Sequence, residues 1–394
     1  MRADAVALCL SITALAASGP VASDTGAPLS PVAQLGRLVF FDPGLSASGR
    51  LSCASCHSPA HAYTSPAGGI APRGGAGLDR SPLRAVPSLR YLEHTPRFTR
   101  HFYLEHGEER EDEGPAGGFM LDGRADSLHT QALLPWLDAA EMGNEDIDAL
   151  AQRLRQASYA PTLRQLFGST LFDRPQQVAA AAALALERFE LEDPSFHPYS
   201  SRYDRFLAGE ASLSAQELRG LALFVDRAKG NCAECHPNTR GPGGRGPEFT
   251  DYAYRALGVP RNRELGANAD AGFYDLGLCG PRRTDLRAET RYCGYFKTPT
   301  LRNSARRSRF FHNGRFHTLE QVLEFYAERD TAPQRWYPSV HGRLRKFDDL
   351  PAIYRANVDR SDPPFDRARG DPPVLSAPEI ADLLAFLGTL DDAD

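Results

Sequence analysis

Apolar residues recur every three or four positions in several segments of this chain, whereas strict alternation is scarce. Segment 35–42 (LGRLVFFD) predicts a helix, and segment 219–226 (RGLALFVD) repeats its order of glycine, aromatic residue and aspartate. The second copy begins at a capping box, in which Glu217 follows three residues after Ser214. We therefore expect a mainly helical chain with an internal duplication.

Two further helices complete this pattern. Residues 176–192 are rich in Ala, Leu and Glu and are expected to close the first unit, and a capped helix with apolar residues at 380, 383, 384 and 387 ends the chain. Loops rich in Gly and Pro occupy residues 64–88 and 237–248. We place a domain boundary near residue 208, which gives domains 24–208 and 209–394.

The first 23 residues have the order of a secretory signal peptide, with Arg2 before the small apolar stretch 5–17. Cys9 leaves with this peptide. No other segment reaches the about 18 consecutive apolar residues of a membrane helix. The sequence thus predicts export to the periplasm and no membrane span.

Charge excludes one class of partner. The 45 basic and 50 acidic residues give a net charge of −5, and no basic run suits contacts with phosphate groups. We therefore exclude nucleic acid as a partner.

Four of the seven cysteines fall in two Cys-x-x-Cys-His strings, at 53–57 and 232–236. Two thiols at this spacing can bind the two vinyl groups of one porphyrin, and the adjacent histidine then binds its iron. A zinc site or a redox-active cysteine pair are the alternatives, but neither explains a histidine at the same place in both copies. We expect two c-type haems, attached through Cys53 and Cys56 and through Cys232 and Cys235.

His57 and His236 are then the proximal ligands of the two irons. Two cysteines remain, Cys279 and Cys293, in a loop rich in Gly, Pro and Arg. In an oxidising compartment they are candidates for a disulfide, and two free thiols are the alternative.

With these strings the chain resembles the bacterial di-haem cytochrome c peroxidase family, in the branch that contains MauG and MbnH-like proteins. Two further segments carry the resemblance, 121–128 (LDGRADSL) and 296–303 (FKTPTLRN), the second of which leads to 310–314 (FFHNG). The resemblance implies a mainly α fold of two cytochrome c-like haem domains packed together, with long loops and little strand.

The family's N-terminal haem reacts with peroxide beneath a distal Gln, Pro and Glu, which match Gln131, Pro135 and Glu141. A carboxylate at this place takes a proton from one peroxide oxygen and returns it to the other, so Glu141 is the candidate catalytic acid and base. An acid on a helix surface is the alternative. No Gly-His-Gly-like string follows His57, and His61 and His94 are expected to be ordinary histidines, so an open first haem is expected.

Counted from His312, the family's Met or Tyr ligand of the second iron falls at Tyr326, in the helix predicted over 319–328. An anionic phenolate favours higher oxidation states of iron, whereas a thioether raises the haem potential. Alternatively, Tyr326 completes an apolar stripe on this helix, and His317 is the second candidate ligand. His312 itself is expected to pack beside the haems.

The chain departs from the family in two places. Relatives carry a tryptophan between the haems where this chain has Leu121, and Phe119 and Trp136 are the nearby aromatic candidates for a relay. Positions around the family's inter-haem calcium correspond to the group Ala85, Arg307 and Arg309, and a guanidinium there could replace the cation and hold haem propionates. Calcium is kept only as a candidate cofactor.

The resemblance implies an exported enzyme that uses hydrogen peroxide to form high-valent haem iron and then oxidises a partner protein, at a Trp side chain. Two alternatives stay open. The first is a peroxidase that takes electrons from a small cytochrome or copper protein, and the second is a non-catalytic di-haem electron carrier. The acidic loop 105–113 is a candidate docking site for a partner, and an ordinary solvated loop is the alternative.

Overall fold

The first half of the molecule is built of helices around the first haem string. The computed structural model describes residues 28–66, 68–106 and 109–393, without the side chains of 103–106 and 109–111. The predicted signal peptide and Cys9 lie outside these residues. The helices of this half are α1 (Pro31–Phe41), α2 (Cys53–Cys56), α3 (Leu128–Leu137), α4 (Ile147–Gln156), α5 (Ala160–Phe167) and α6 (Pro175–Glu192).

Helix α6 is the centre of this half, and α1, α3 and α4 pack against it. Helix α1 approaches it most closely at Gly36, where a Cβ atom would overlap the carbonyl oxygen of Ala185. One turn on, the rings of Phe40 and Phe189 meet edge to face with centroids 5.6 Å apart. Glycine is therefore required at this crossing for the two backbones to touch.

The second half repeats this helix pair. Its helices are α7 (Arg202–Leu207), α8 (Ala215–Val225), α9 (Cys232–Cys235), α10 (Leu319–Glu328) and α11 (Ala377–Gly388). Helix α8 begins at the predicted capping box and packs on α11, with Gly220 against the carbonyl oxygen of Asp382. The rings of Phe224 and Phe386 lie 5.2 Å apart. The duplication read in the sequence is thus present in the packing.

Strands are few among the described residues and form three antiparallel pairs. They are β1 (Thr99–His106) with β2 (Glu109–Ala116), β3 (Tyr254–Arg255) with β4 (Phe296–Lys297), and β5 (Ser339–Val340) with β6 (Arg343–Leu344). The expectation of an acidic loop at 105–113 is wrong, because Glu105 pairs with Arg110 across the β1–β2 hairpin. A two-stranded hairpin need not bury either face, so its sequence need not alternate between apolar and polar residues, and this pattern cannot be used to predict it.

Two large apolar clusters support the two halves. The first runs from Leu35 to Phe196 and the second from Tyr203 to Leu390. The expected fold class is confirmed, since the described chain is mainly helical with long loops and little strand. The exact boundary near residue 208 stays a proposal. Within the described ranges, no helix has both the length and the apolar character to cross a bilayer.

We expect Gly36→Ala to lower the free energy of unfolding by about 1–3 kcal/mol, because the added methyl group forces α1 away from α6. Thermal or denaturant unfolding followed by circular dichroism measures the loss. Gly388→Ala is the matched control, since a Cβ atom there meets nothing within 4 Å. Equal midpoints for the two variants would contradict the required close approach.

Candidate functional site

The first haem string lies on α2 and the turn that follows it. The Nδ1 atom of His57 is 3.1 Å from the carbonyl oxygen of Tyr63. Burial lowers the pKa of His57 to about 4, against the opposing effect of this carbonyl and that of Pro87. The imidazole is therefore neutral at physiological pH and oriented through one nitrogen, as an iron ligand requires.

The second haem string reproduces this geometry on α9. The Nδ1 atom of His236 is 2.8 Å from the carbonyl oxygen of Phe249, and burial lowers the pKa of this ring to about 4 as well. The carbonyl of Pro299 raises the pKa of His236 against this burial, as the carbonyl of Pro87 does for His57. Each histidine thus contacts one backbone carbonyl through Nδ1, and the carbonyl of an equivalent proline raises the pKa of each ring.

Sequence reasoning missed these backbone groups. A signal was present, because segment 85–90 (AVPSLR) repeats segment 297–302 (KTPTLR) around the two prolines. This second internal repeat marks the loops that hold the histidines.

The four string cysteines are thiols in buried surroundings. Burial raises the pKa of each of them to about 12, and none forms a disulfide. All four therefore remain free for the covalent haem attachment that the two strings predict: Cys53, Cys56, Cys232 and Cys235.

The candidate distal groups of the first haem lie on α3 and the turn after it. Burial, and secondarily the charge of Asp138, raises the pKa of Glu141 to about 7, and this carboxyl also acts on the nearby Cys56 thiol. Among the described residues the Glu141 carboxyl has no hydrogen-bond or ion-pair partner. Pro135 lies inside α3 and its carbonyl accepts a hydrogen bond from the Met142 N–H, which fixes the turn that carries Glu141.

Gln131 is a buried residue of α3, and its Oε1 atom has no hydrogen-bond partner within the described part of the chain. No hydrogen bond joins Gln131 to Glu141. Each is therefore available to a bound molecule.

A second carboxyl at the first haem string was not foreseen. Glu190 of α6 acts on the Cys53 thiol, and burial, followed by the charge of Glu187, raises the pKa of Glu190 to about 8. No local pattern marks Glu190, because its position depends on how α6 packs against a string far away in the sequence.

The second haem string opens into a cavity of about 710 Å³. Tyr326 of α10 lines it, with its ring between those of Phe311 and Phe365 at centroid distances of 6.0 and 5.4 Å. Burial, and then the Cys235 and Cys232 sulfurs, raises the pKa of the Tyr326 phenol. The predicted ligand therefore lies in the same cavity as His236 and both cysteines.

The cavity wall suits a haem in its polar groups as well. Lys297 and Arg307 line it, and neither has a carboxylate partner among the described ion pairs. Four lining atoms lack hydrogen-bond partners in the described chain, and the first two show that the cavity also extends into the first half of the molecule, where Gln131 is expected to serve the first haem: Thr95 Oγ1, Gln131 Oε1, Ser304 Oγ and Arg307 Nε. Aromatic walls, two cysteines, a neutral histidine and partnerless cations fit a flat apolar group with carboxylates.

The other histidines lie as follows. His312 stacks on Phe296 with centroids 3.6 Å apart and lines the cavity, and its Nε2 atom is 3.4 Å from Asp349. His317 does not line the cavity and contacts Arg309 instead.

His61 contacts Ser58, and His94 lies 2.9 Å from Glu248. His94 also lies 3.4 Å from Glu93, and the ligand atoms of Glu93, His94 and Glu248 all lie within 4.8 Å of one another.

At the position of the family's inter-haem tryptophan, Leu121 lines the cavity, as does Phe119. Trp136 is fully buried in the first core cluster and does not line it. Cys279 and Cys293 form a disulfide, with Cα atoms 4.9 Å apart.

We expect mass spectrometry of the denatured holoprotein to find two covalently bound haems, and one in the double variant Cys53→Ala, Cys56→Ala. The control is the pair Cys279→Ala, Cys293→Ala, which removes thiols outside the strings and should keep both haems. Two haems on the first double variant would disprove the attachment site.

Comparison with known proteins agrees with this geometry. A family model described as di-haem cytochrome c peroxidase matches residues 30–212. The methylamine utilization protein MauG of Paracoccus denitrificans is 34% identical over 301 residues, which are 75% of this chain and 74% of that one.

The crystal structure of the di-haem peroxidase BthA from Burkholderia thailandensis is similar with a TM-score of 0.82 and 39% identity, over 93% of this chain and 87% of that one. A MauG-like protein associated with microbial copper homeostasis is similar with a TM-score of 0.61 and 26% identity, over 95% and 92% of the two chains. The chain therefore belongs to the di-haem cytochrome c peroxidase family and is a peroxidase-type oxidoreductase with two c-type haems.

Proposed function

We propose that this protein is a periplasmic enzyme that uses hydrogen peroxide to oxidise a partner protein at a tryptophan side chain. One observation carries the proposal: Glu141, a half-buried carboxyl without a partner among the described residues, lies near the Cys56 thiol of the first haem string, while the phenol of Tyr326 lines the cavity with the cysteines of the second. The first group suits proton transfer to peroxide, and the second suits an iron that retains oxidising equivalents.

Reduction of hydrogen peroxide to two waters consumes two electrons and two protons, so a group near the peroxide must move a proton between its oxygens. Glu141 has a pKa of about 7 and is present in both protonation states at neutral pH. Gln131 offers an amide group with a free oxygen to orient the peroxide. Pro135 fixes the turn between these two side chains.

When bound, the two haems supply the redox-active iron that receives the oxidising equivalents of peroxide. Tyr326 offers a phenol oxygen to the second site. The chain has three methionines, at positions 1, 120 and 142, so α10 presents no thioether. An anionic oxygen ligand lowers a haem potential, which favours strong oxidation over electron uptake from a cytochrome.

The proposed compartment rests on the predicted signal peptide 1–23 and on a disulfide between Cys279 and Cys293, which suits an oxidising environment.

The test follows peroxide consumption by the di-ferric holoprotein in two parallel mixtures. One contains a reduced small c-type cytochrome, and the other contains exported proteins of the same host with no other reductant. We expect new oxidised tryptophan in a protein of the second mixture, found by peptide mass spectrometry and absent without the enzyme. Steady oxidation of the cytochrome, with no modified protein, would establish the electron-fed peroxidase instead.

A further inference from the structure

The place of the family's inter-haem cation does not fit a calcium ion in this chain. Its three matching positions, Ala85, Arg307 and Arg309, all line the cavity, and two of them bring guanidinium groups. Ala85 has no side-chain oxygen, and its N–H donates to the His312 carbonyl at 2.8 Å. A divalent cation would therefore lose one oxygen ligand and meet two positive charges.

Two carboxylates nearby in the cavity wall are already engaged. Asp275 accepts two hydrogen bonds from Arg84, at 2.6 and 2.8 Å. Asp349 accepts from Asn313 at 2.9 Å and lies 3.4 Å from Arg261. Neither is left over as a ligand for calcium.

Like Lys297, Arg307 lines this wall without a carboxylate partner among the described residues, and Arg307 is the one of the two that lies at a position of the family's inter-haem cation. One terminal nitrogen donates to the carbonyl oxygens of Thr300 and Arg302, at 3.2 and 3.3 Å, and its Nε atom has no partner among the described groups. Burial lowers the pKa of Arg307 to about 10, and the charge of Asp391 opposes this shift, although the two form none of the described ion pairs. A buried cation is costly unless an anion accompanies it.

Arg309 is different, although it lines the same cavity. Its guanidinium lies 2.9 Å from the Glu264 carboxylate and also contacts His317. The charge of Arg309 is thus paired with a carboxylate, whereas that of Arg307 has no such partner in the described part of the chain.

We propose that Arg307 pairs with a propionate carboxylate of the second haem and takes the place of the family's inter-haem cation, so that this protein works without calcium. The cavity that Arg307 lines also contains Cys232, Cys235 and His236, so the anion it lacks arrives with the haem. The proposal rests on haem binding at this cavity and not on the proposed oxidation of a partner protein.

The first test measures metal content and spectra of the wild-type holoprotein before and after dialysis against EGTA. We expect no stoichiometric calcium by inductively coupled plasma mass spectrometry and identical electron paramagnetic resonance spectra. One calcium per chain, whose removal changes the haem spectra, would overturn the replacement of the cation.

The second test measures the reduction potential of the second haem in Arg307→Thr, with Arg309→Thr as matched control and Arg307→Lys as conservative variant. We expect a lower potential in Arg307→Thr, because the propionate loses its positive neighbour, and a smaller shift in Arg307→Lys. Arg309→Thr should keep the wild-type potential. An unchanged potential in Arg307→Thr, or an equal shift in the control, would overturn the pairing. If Arg307→Thr does not fold, the potential of Arg307→Lys tests the pairing with the propionate, and the metal analysis of the wild type tests the absence of calcium.

Discussion

Glu141→Gln should react with hydrogen peroxide about 10²- to 10⁴-fold more slowly than the wild type, because an amide cannot take the proton that must leave the first peroxide oxygen. The pKa of Glu141, raised to about 7 by burial, adds a second signature. The wild-type rate should rise as the pH passes upward through about 7, where the carboxyl becomes a base, and the variant should lose this rise. Stopped-flow absorbance of the haem measures both.

The matched control is Glu145→Gln, an exposed acid four residues further along the chain. It should keep the wild-type rate and pH profile. A Glu141→Gln variant with full haem content and an unchanged rate would show that another group, such as Glu190, handles the proton.

Tyr326→Met should raise the reduction potential of the second haem strongly, within the about 0.8 V range that axial ligands set in haem proteins. A neutral thioether replaces an anionic oxygen, so the reduced iron is favoured. The change also tests ligation against the alternative of a tyrosine that only completes an apolar stripe, since that role would leave the potential nearly unchanged. Spectroelectrochemical titration measures the shift.

Tyr337→Phe is the control for loss of a buried hydroxyl. Tyr337 donates to the Gly258 carbonyl at 2.6 Å and does not line the cavity. It should cost about 1 kcal/mol of stability and leave the second haem's potential unchanged. Burial raises the pKa of the Tyr326 phenol, so iron binding must supply the free energy for loss of its proton.

Local signals predicted much of the fold. The helix predicted over 319–328 matches α10, the capping box at Ser214 begins α8, and the capped helix predicted at the end of the chain is α11. Such elements can be read from the sequence because their caps and apolar stripes are encoded within a few residues. The hairpin β1–β2 was missed because its backbone pairing needs no buried face.

The residues of the candidate site likewise fall into those that a local motif predicts and those that only the packing brings together. The haem strings are local, whereas Glu190 reaches Cys53, and Pro87 reaches His57, only through packing of distant segments. Whether Arg307 has a carboxylate partner could not be predicted from the sequence for another reason. A sequence shows that a cation is present, but only the folded chain shows whether a carboxylate lies beside it.

The repeated carbonyl pair has a consequence for how this protein arose. A glycine crossing, a contacting aromatic pair, a proline carbonyl and a second backbone carbonyl recur in the two halves that carry the histidines. Doubling of one ancestral single-haem unit would leave this proximal frame in two copies. Under the proposed function, divergence then falls on the distal residues, which are the Glu141 carboxyl in one copy and the Tyr326 phenol in the other. New chemistry in such a lineage requires change only in the distal residues, while the inherited frame continues to hold the cofactor.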